Sequence, residues 1–369
     1  MSTPQDSFAK RGFLPAQDPL TQFDPESKLS LLDEIGRDLP SRLLEADFRR
    51  YAESLTIPSW PDRLSPSEHL PELRLYFVRL SFLASAYVNQ IGQAPAVYLP
   101  ANVAIPLTRI AKLLSVPPIL NYAGYALYNW KRFDKSKGIE LGNIDTIQNF
   151  VHLYDEHWFI LIHVEIEAIA ANLLAAIITL HNHLDKRDAL DSEVVNEQLQ
   201  IVAECLGKQL LVLKRVPERM SPALYFKAFR PYIRFFENVE YQGVKLEPLS
   251  YRGETGAQSS IMPVLVNLLK IDHQKSILVN HLLEIRQYMP ASHREFIRYT
   301  EGLPDLKTVA APEVFNQVLE LIAEFREVHY TWAMDYINKH VDDPRGTGGT
   351  PYMQWLKQLI DETRARKHT

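Results

Sequence analysis

The sequence predicts an all-α protein, with a smaller, mostly helical N-terminal domain over residues 1–135 and a larger helical domain over residues 136–369. Three observations carry this expectation. Apolar residues recur at helical spacing through most of the chain, and convincing strand alternation is nearly absent. A proline-rich first third also gives way to longer helices after a polar, glycine-containing stretch, KRFDKSKGIELGNIDT at 131–146, which reads as a linker. In the first part the helical pattern covers 40–54, 70–92, 104–114 and 119–132. Prolines such as Pro58, Pro61, Pro66, Pro71, Pro95 and Pro100 keep these helices short. The pattern then covers 156–183, 189–215, 223–238, 258–271, 275–288, 312–340 and 351–366. The only β expectation is a short hairpin in EYQGVKLEPLSYRGE, 240–254.

A chain of 369 residues with 46% hydrophobic and 23% charged content has the composition of an ordinary globular protein with a sizeable core. A net charge of −5 gives no basic footprint for nucleic acid. The single cysteine, Cys205, excludes an internal disulfide, a four-cysteine zinc site, an iron–sulfur cluster and covalent haem attachment through Cys-x-x-Cys-His. Its setting, VAECLGKQLLVL, reads as that of a buried structural thiol. The N-terminal MSTPQDSFAKRGFLP has no apolar core of a secretory signal. Residues 158–180 are long and apolar enough to span a bilayer, yet they carry His163, Glu165 and Glu167. Each acidic group costs about 2.5–3.5 kcal/mol on insertion scales, so the segment reads as a helix inside a protein. The expectation is a cytoplasmic protein with no membrane partner.

Several stretches could carry chemistry. His329 lies in FREVHYTWAMDYI, a helical run in which a packed core imidazole is the commoner occupant and a ligand the sharper alternative. The loop DDPRGTGGTPY, 342–352, could bring backbone N–H groups to a ligand or merely connect; it lacks the ending of a phosphate-binding P-loop. RGETGAQSS, 252–260, could be a helix start capped by Thr255 or Ser259, or a set of donors facing an anion. In SPALYFKAFRPYIRFF, Tyr225, Phe226 and Arg230 stand four or five residues apart, which suits either core packing or a flat aromatic carboxylate ligand. His163 sits mid-helix in apolar surroundings with Glu167 one turn on; it could pair inside the core or work in a pocket. His181 and His183 are i and i+2 on a helix and face different directions, which argues against a metal pair.

Taken together, the chain resembles the indoleamine 2,3-dioxygenase family of haem proteins. The resemblance runs in order through RGFLP at 11–15, PPILNYAGYALYNW at 117–130, WFILIHVEIEA at 158–168, YFKAFR at 225–230 and ETGAQSS at 254–260. It continues through LLEIRQYMPASHREF at 282–296, FREVH at 325–329 and RGTGGT at 345–350. It implies that His329 is the proximal ligand of haem b iron, that Arg326 pairs with a haem propionate, and that Thr255 and Gly256 lie near the haem edge. It further implies that Tyr125, Tyr225 and Phe226 line the substrate pocket and that Arg230 receives the substrate carboxylate. Gly346 and Thr347 of the GTGGT loop would close over the substrate, and His163 would stand on the distal side. There are departures: His163 occupies a position where indoleamine enzymes commonly carry serine, Tyr225 replaces a phenylalanine, and Tyr125 replaces a smaller residue. A distal histidine looks more like the related tryptophan 2,3-dioxygenases.

The activity so implied is insertion of O₂ across the indole C2–C3 bond of L-tryptophan or a related indole, giving an N-formylkynurenine-type product. The partners are then the indole, O₂ and a reductant that keeps the haem ferrous. Rival readings are a haem enzyme of the same superfamily with redirected indole oxygenation in secondary metabolism, and a haem-binding helical protein without turnover.

Overall fold

The longest element, the 34-residue helix Tyr154–Arg187, is shared by two hydrophobic cores. Ile160, Leu161 and Val164 face one of them, while Trp158, Ile162, Ile166, Leu173 and Leu174 face the other. A helix buried on both sides must be apolar almost all round, which is why this segment has the length and composition of a membrane span. The computed structural model describes residues 4–244, 247–340 and 353–369. It is 60% helical with 5% strand, an all-α architecture.

The first core gathers the helices Leu31–Arg42, Phe48–Ser54, Leu70–Val88 and Ala101–Leu114 with the segment 119–130. It also takes Tyr232, Ile233, Phe236, Val239, Tyr241, Ile285 and Tyr288 from the later chain. Helix Leu70–Val88 is buried from Leu75 to Val88, Arg79 included. That guanidinium is kept charged inside the core by Asp33 at 3.0 Å and by Gln148 Oε1 at 2.6 Å. The second core packs Ser192–Leu213 along the long helix and Pro312–Tyr336 along Ser192–Leu213. Ile261–Leu268, Ala291–Glu301 and Phe8 and Phe13 complete it.

Several local expectations change. Residues 131–146 are more than a linker: Trp130–Arg132 pairs antiparallel with Ile144–Thr146, Trp130 opposite Thr146. The Trp130 ring is fully buried and donates its N–H to Leu127 O at 3.0 Å. The helix expected over 119–132 shrinks to one π-helical turn, Ala123–Leu127, because the strand claims its end. Likewise the helix expected over 223–238 stops after Pro222–Leu224 and a π turn, Tyr225–Phe229. Pro231 has no N–H to extend it, and Phe236–Tyr241 is a strand. That strand forms the expected hairpin with Leu249–Tyr251, Val239 opposite Leu249, and adds Tyr98–Leu99 in parallel. Helices Pro4–Arg11 and Ala291–Glu301 had no counterpart in the sequence reading.

The N-terminal segment docks on the long helix through Gly12. Its φ is +63°, and a Cβ there would lie 1.8 Å from the Glu167 carbonyl oxygen. Gly12→Ala is expected to destabilise the protein by about 1–3 kcal/mol from backbone strain alone, with the steric overlap added. A urea-unfolding midpoint unchanged from wild type would show that this segment moves away at no cost.

Candidate active site

Three ionisable groups lie on one stripe of the long helix: Glu156, His163 and Glu167, at i, i+7 and i+11. Each has to find partners away from water. Glu156 receives the N–H groups of Phe150 (3.0 and 2.9 Å) and Val151 (2.9 Å) and the Tyr125 hydroxyl at 3.3 Å. Burial still pushes its carboxyl up to about 7. Glu167 accepts two hydrogen bonds at Oε1, from Tyr122 Oη at 2.9 Å and Ser259 Oγ at 2.6 Å. Its Oε2 is occluded and unpaired, which suits the O–H end of a neutral acid, and burial lifts this carboxyl too to about 7. The intrahelical His163–Glu167 pair considered from sequence is therefore not formed.

His163 instead sets its Nδ1 2.7 Å from Phe159 O. A carbonyl only accepts, so Nδ1 carries the proton and Nε2 is left with a lone pair. Burial lowers the pKa of the ring, so the neutral form is favoured even though the Phe159 carbonyl acts the other way. Nε2 points toward Gly256: a Cβ on that glycine would lie 3.4 Å away. Gly256 opens the 3₁₀ turn Gly256–Gln258, whose cap is Thr255, accepting the Ala257 N–H at 3.4 Å. Gln258 then fixes the loop against the π turn, accepting the Tyr122 N–H at 2.8 Å and donating to Gly253 O at 2.9 Å.

His329 lies on Pro312–Tyr336 and keeps exposed surface, although the protein around it desolvates its ring strongly. Burial first and the His163 imidazole second bring its pKa down to about 4, so the two rings are close enough to sense each other. Among the described residues the His329 ring has no hydrogen-bond partner, and no acceptor for its second nitrogen is present there.

Aromatic rings wall the His163 side. Phe159 meets His163 edge-on at 4.7 Å and contacts Tyr225 at 5.4 Å, Phe229 at 6.0 Å and Tyr125 at 6.2 Å. Arg230, 8% exposed, is hydrogen-bonded to the Tyr225 hydroxyl and lies 5.4 Å from the centre of the Phe226 ring. Phe226 also stacks on His340 at 5.0 Å. Glu254, a residue the sequence reading passed over, is 2% exposed beside this wall, and burial pushes its carboxyl up to about 8. The only signal for it was a charged residue heading the ETGAQSS stretch, whose burial no local pattern reveals.

The structure thus gathers His163, Tyr125, Tyr225, Phe226, Arg230, Thr255 and Gly256, with the His329 ring near enough to feel that of His163. Arg326 lies one turn before His329, but its guanidinium serves the C-terminal helix Met353–Ala365. It donates to Leu359 O at 2.7 Å and to Thr363, and it meets His273 Nε2 at 3.3 Å. Gly346 and Thr347 lie outside the described residues. His181 stacks on Tyr299 while His183 pairs with Asp191, so those two diverge. Cys205 is buried in the second core, where burial raises its thiol pKa.

The raised carboxyls have a thermodynamic signature. Glu167 titrates near 7 in the fold against 4.5 as a free side chain, so its contribution is fully present below pH 4.5 and is lost as pH rises through 7. Glu167→Gln, which mimics the neutral acid, is expected to gain on wild type by on the order of 3 kcal/mol between pH 5 and pH 8. Urea midpoints at the two pH values measure this. A constant gap between the two proteins would show Glu167 to be ionised in the fold at both.

The family description "Indoleamine 2,3-dioxygenase" matches residues 6–366. The chain is 29% identical to "Indoleamine 2,3-dioxygenase 2" of Homo sapiens, over 79% of each chain. It is 29% identical to "Indoleamine 2,3-dioxygenase" of Saccharomyces cerevisiae, over 95% of this chain and 90% of that one. It is 28% identical to "Indoleamine 2,3-dioxygenase 1" of Mus musculus, over 89% and 87%. With a match that takes in both cores, His163 and His329, the chain belongs to the indoleamine 2,3-dioxygenase family.

Proposed function

We propose that the protein is a cytoplasmic haem b dioxygenase acting on L-tryptophan or a related indole, with His329 as the sole protein ligand to iron. The observation that carries this reading is a pair of interacting imidazoles, His163 with its Nε2 lone pair left free by the Phe159 bond and His329 with no hydrogen-bond partner among the described residues. The residues fit the group. Among the described residues no cluster of three or more metal-ligating side chains exists, so a metal on His329 would draw its other ligands from a prosthetic macrocycle. Gly256, lacking a side chain, leaves room beside His163. Bound haem would supply the oxygen activation that opens the indole C2–C3 bond to an N-formylkynurenine-type product, with a reductant keeping the iron ferrous.

The chain's own residues then do the positioning. The neutral His163 Nε2 accepts the indole N–H, a bond a protonated ring could not accept. Arg230, held by Tyr225, takes the substrate carboxylate, and the rings of Tyr125, Phe159 and Phe226 orient the indole and exclude water. In this reading residues 1–135 form the smaller unit that caps the distal pocket, and Gly346 and Thr347 close over the substrate.

His329→Ala should lose tightly held haem while keeping far-UV helicity; full haem occupancy with an unchanged Soret band would refute the ligand assignment. Charge-assisted bonds contribute about 1.5–3 kcal/mol, so Arg230→Leu should weaken tryptophan use roughly tenfold or more. Indole, which has no carboxylate, should be spared, and an equal loss for both would leave Arg230 a structural role only. His163→Ser should retain haem and narrow the preference for tryptophan over 1-methyltryptophan. A preference as wide as in wild type would remove His163 from indole recognition.

A further inference from the structure

We propose that His273 is a positioning residue for the helix that bears His329, acting through Arg326 as the middle member of a Glu362–His273–Arg326 hydrogen-bond relay. His273 stands in the stretch between Ile261–Leu268 and Ile277–Glu284, outside the aromatic wall described above. Its Nδ1 lies 2.7 Å from Glu362 Oε2, and its Nε2 lies 3.3 Å from Arg326 Nη2. A guanidinium only donates, so Nε2 must carry the lone pair and Nδ1 the proton that goes to Glu362. The relay therefore works in one tautomer of the neutral ring, which donates to a carboxylate and accepts from a guanidinium. The His273 and Glu362 side chains are 10% and 14% exposed, so water competes little for these bonds.

The contacts join three pieces of chain at one guanidinium. Arg326 also donates to Leu359 O at 2.7 Å and to Thr363 Oγ1, both on the C-terminal helix. It is thus gripped from the 269–276 stretch and from Met353–Ala365 at once. Glu362 is held in turn by Gln358 Nε2 at 2.6 Å and by the Gln274 N–H at 3.2 Å. Arg366 Nε adds a second tie between the two, donating to Leu269 O at 3.0 Å. Arg326 and His329 are i and i+3, neighbours on one helix face. Fixing the guanidinium from two elements fixes the rotation of the helix about its axis, and with it the direction in which the His329 ring is presented.

The groups facing His273 make this grip depend on pH. Arg326 comes from Pro312–Tyr336, Glu362 from the C-terminal helix and Asp272 from its own stretch. Burial and then Arg326 lower the His273 pKa, outweighing Glu362 and Asp272, which act the other way. Burial also works against an ionised Glu362, but the bonds from Gln358, His273 and Gln274 prevail and hold its pKa below the usual carboxylate value. Arg326, lowered by burial to about 10, is still a cation at neutral pH. The relay is therefore intact above pH 6.5, the value for a free histidine, and is lost as pH falls through the depressed value of the fold. Protonation puts an N–H on Nε2, which then meets the Arg326 donors with a like charge.

The assignment rests on His329 as the haem ligand, and the test separates the two. Haem transfer from the loaded protein to excess apomyoglobin is followed from pH 8 to pH 5 in wild type, His273→Gln and His273→Leu. Gln offers an amide oxygen that accepts from Arg326 and takes up no proton in this range, whereas Leu offers no acceptor. A hydrogen bond to a charged group is worth roughly tenfold in an equilibrium, so His273→Leu should release haem roughly tenfold faster than His273→Gln at every pH. Wild type should match His273→Gln at pH 8 and move toward His273→Leu at pH 5. Equal release from the two variants, or a wild type in constant ratio to His273→Gln across the range, would overturn the assignment. The comparison of wild type with His273→Gln stands by itself should the Leu variant not fold. In the haem-free proteins at pH 8, amide hydrogen exchange at 359–363 should be faster in His273→Leu than in His273→Gln. If wild type holds no haem, the ligand reading fails, and equal exchange in the two variants would then overturn the His273 assignment separately.

Discussion

Burying three ionisable side chains on a single helix is the constraint around which this molecule is arranged. Glu156, His163 and Glu167 share a stripe of Tyr154–Arg187 that lies between two apolar cores, so water is not there to solvate them. Each draws a different piece of chain onto the helix. Glu156 gathers the Phe150–Val151 amides and Tyr125, while Glu167 gathers Tyr122 and Ser259. His163 takes the Phe159 carbonyl of its own helix and so turns its other nitrogen outward. The π turn at Ala123–Leu127 and the loop at Gly253–Ser259 are held where they are by these pairings and by Gln258, which bridges them.

The same constraint explains why the pocket-facing groups are neutral where neutrality is useful. Desolvation pushes carboxyls up and imidazoles down, so burial biases the acids of the wall toward the protonated form and the two histidines toward the neutral ring. Beside them Arg230 brings its guanidinium to the Tyr225 hydroxyl.

Much of this was legible in the sequence. The apolar run at 158–180 with its embedded His163, Glu165 and Glu167 announced a helix buried on both sides, and the 240–254 hairpin was read from its turn residues. The ordered motifs carried the family, and with it the placement of His329 and of the Tyr225–Arg230 turn. What was not legible depends on partners far away in the chain. The helix at 119–132 collapsed to one turn because Tyr122 is tied to Glu167, 45 residues on, and to Gln258, 136 residues on. Glu254 was hidden for the same reason: the glycine and threonine beside it carry local information, whereas its burial is a tertiary property. Arg326 has the spacing of a pocket residue, yet the C-terminal helix claims it.

That claim has a mechanical consequence. The last stretch of the chain is splinted to the helix bearing His329: His368 N–H to Asn316, Arg364 and Lys367 to Glu320, Arg364 to Glu327, and Leu359 and Thr363 to Arg326. Helix Pro312–Tyr336 therefore cannot tilt or slide without breaking contacts made by the C-terminal residues. Clipping the chain after Asp361 would strip Thr363 from Arg326 and leave both Glu320 and Glu327 without their cations. A buried guanidinium would then lack one of its anchors a single turn from His329. The tail acts as a strut, and the geometry on the His329 side of the pocket is only as firm as the grip of the chain's final turns.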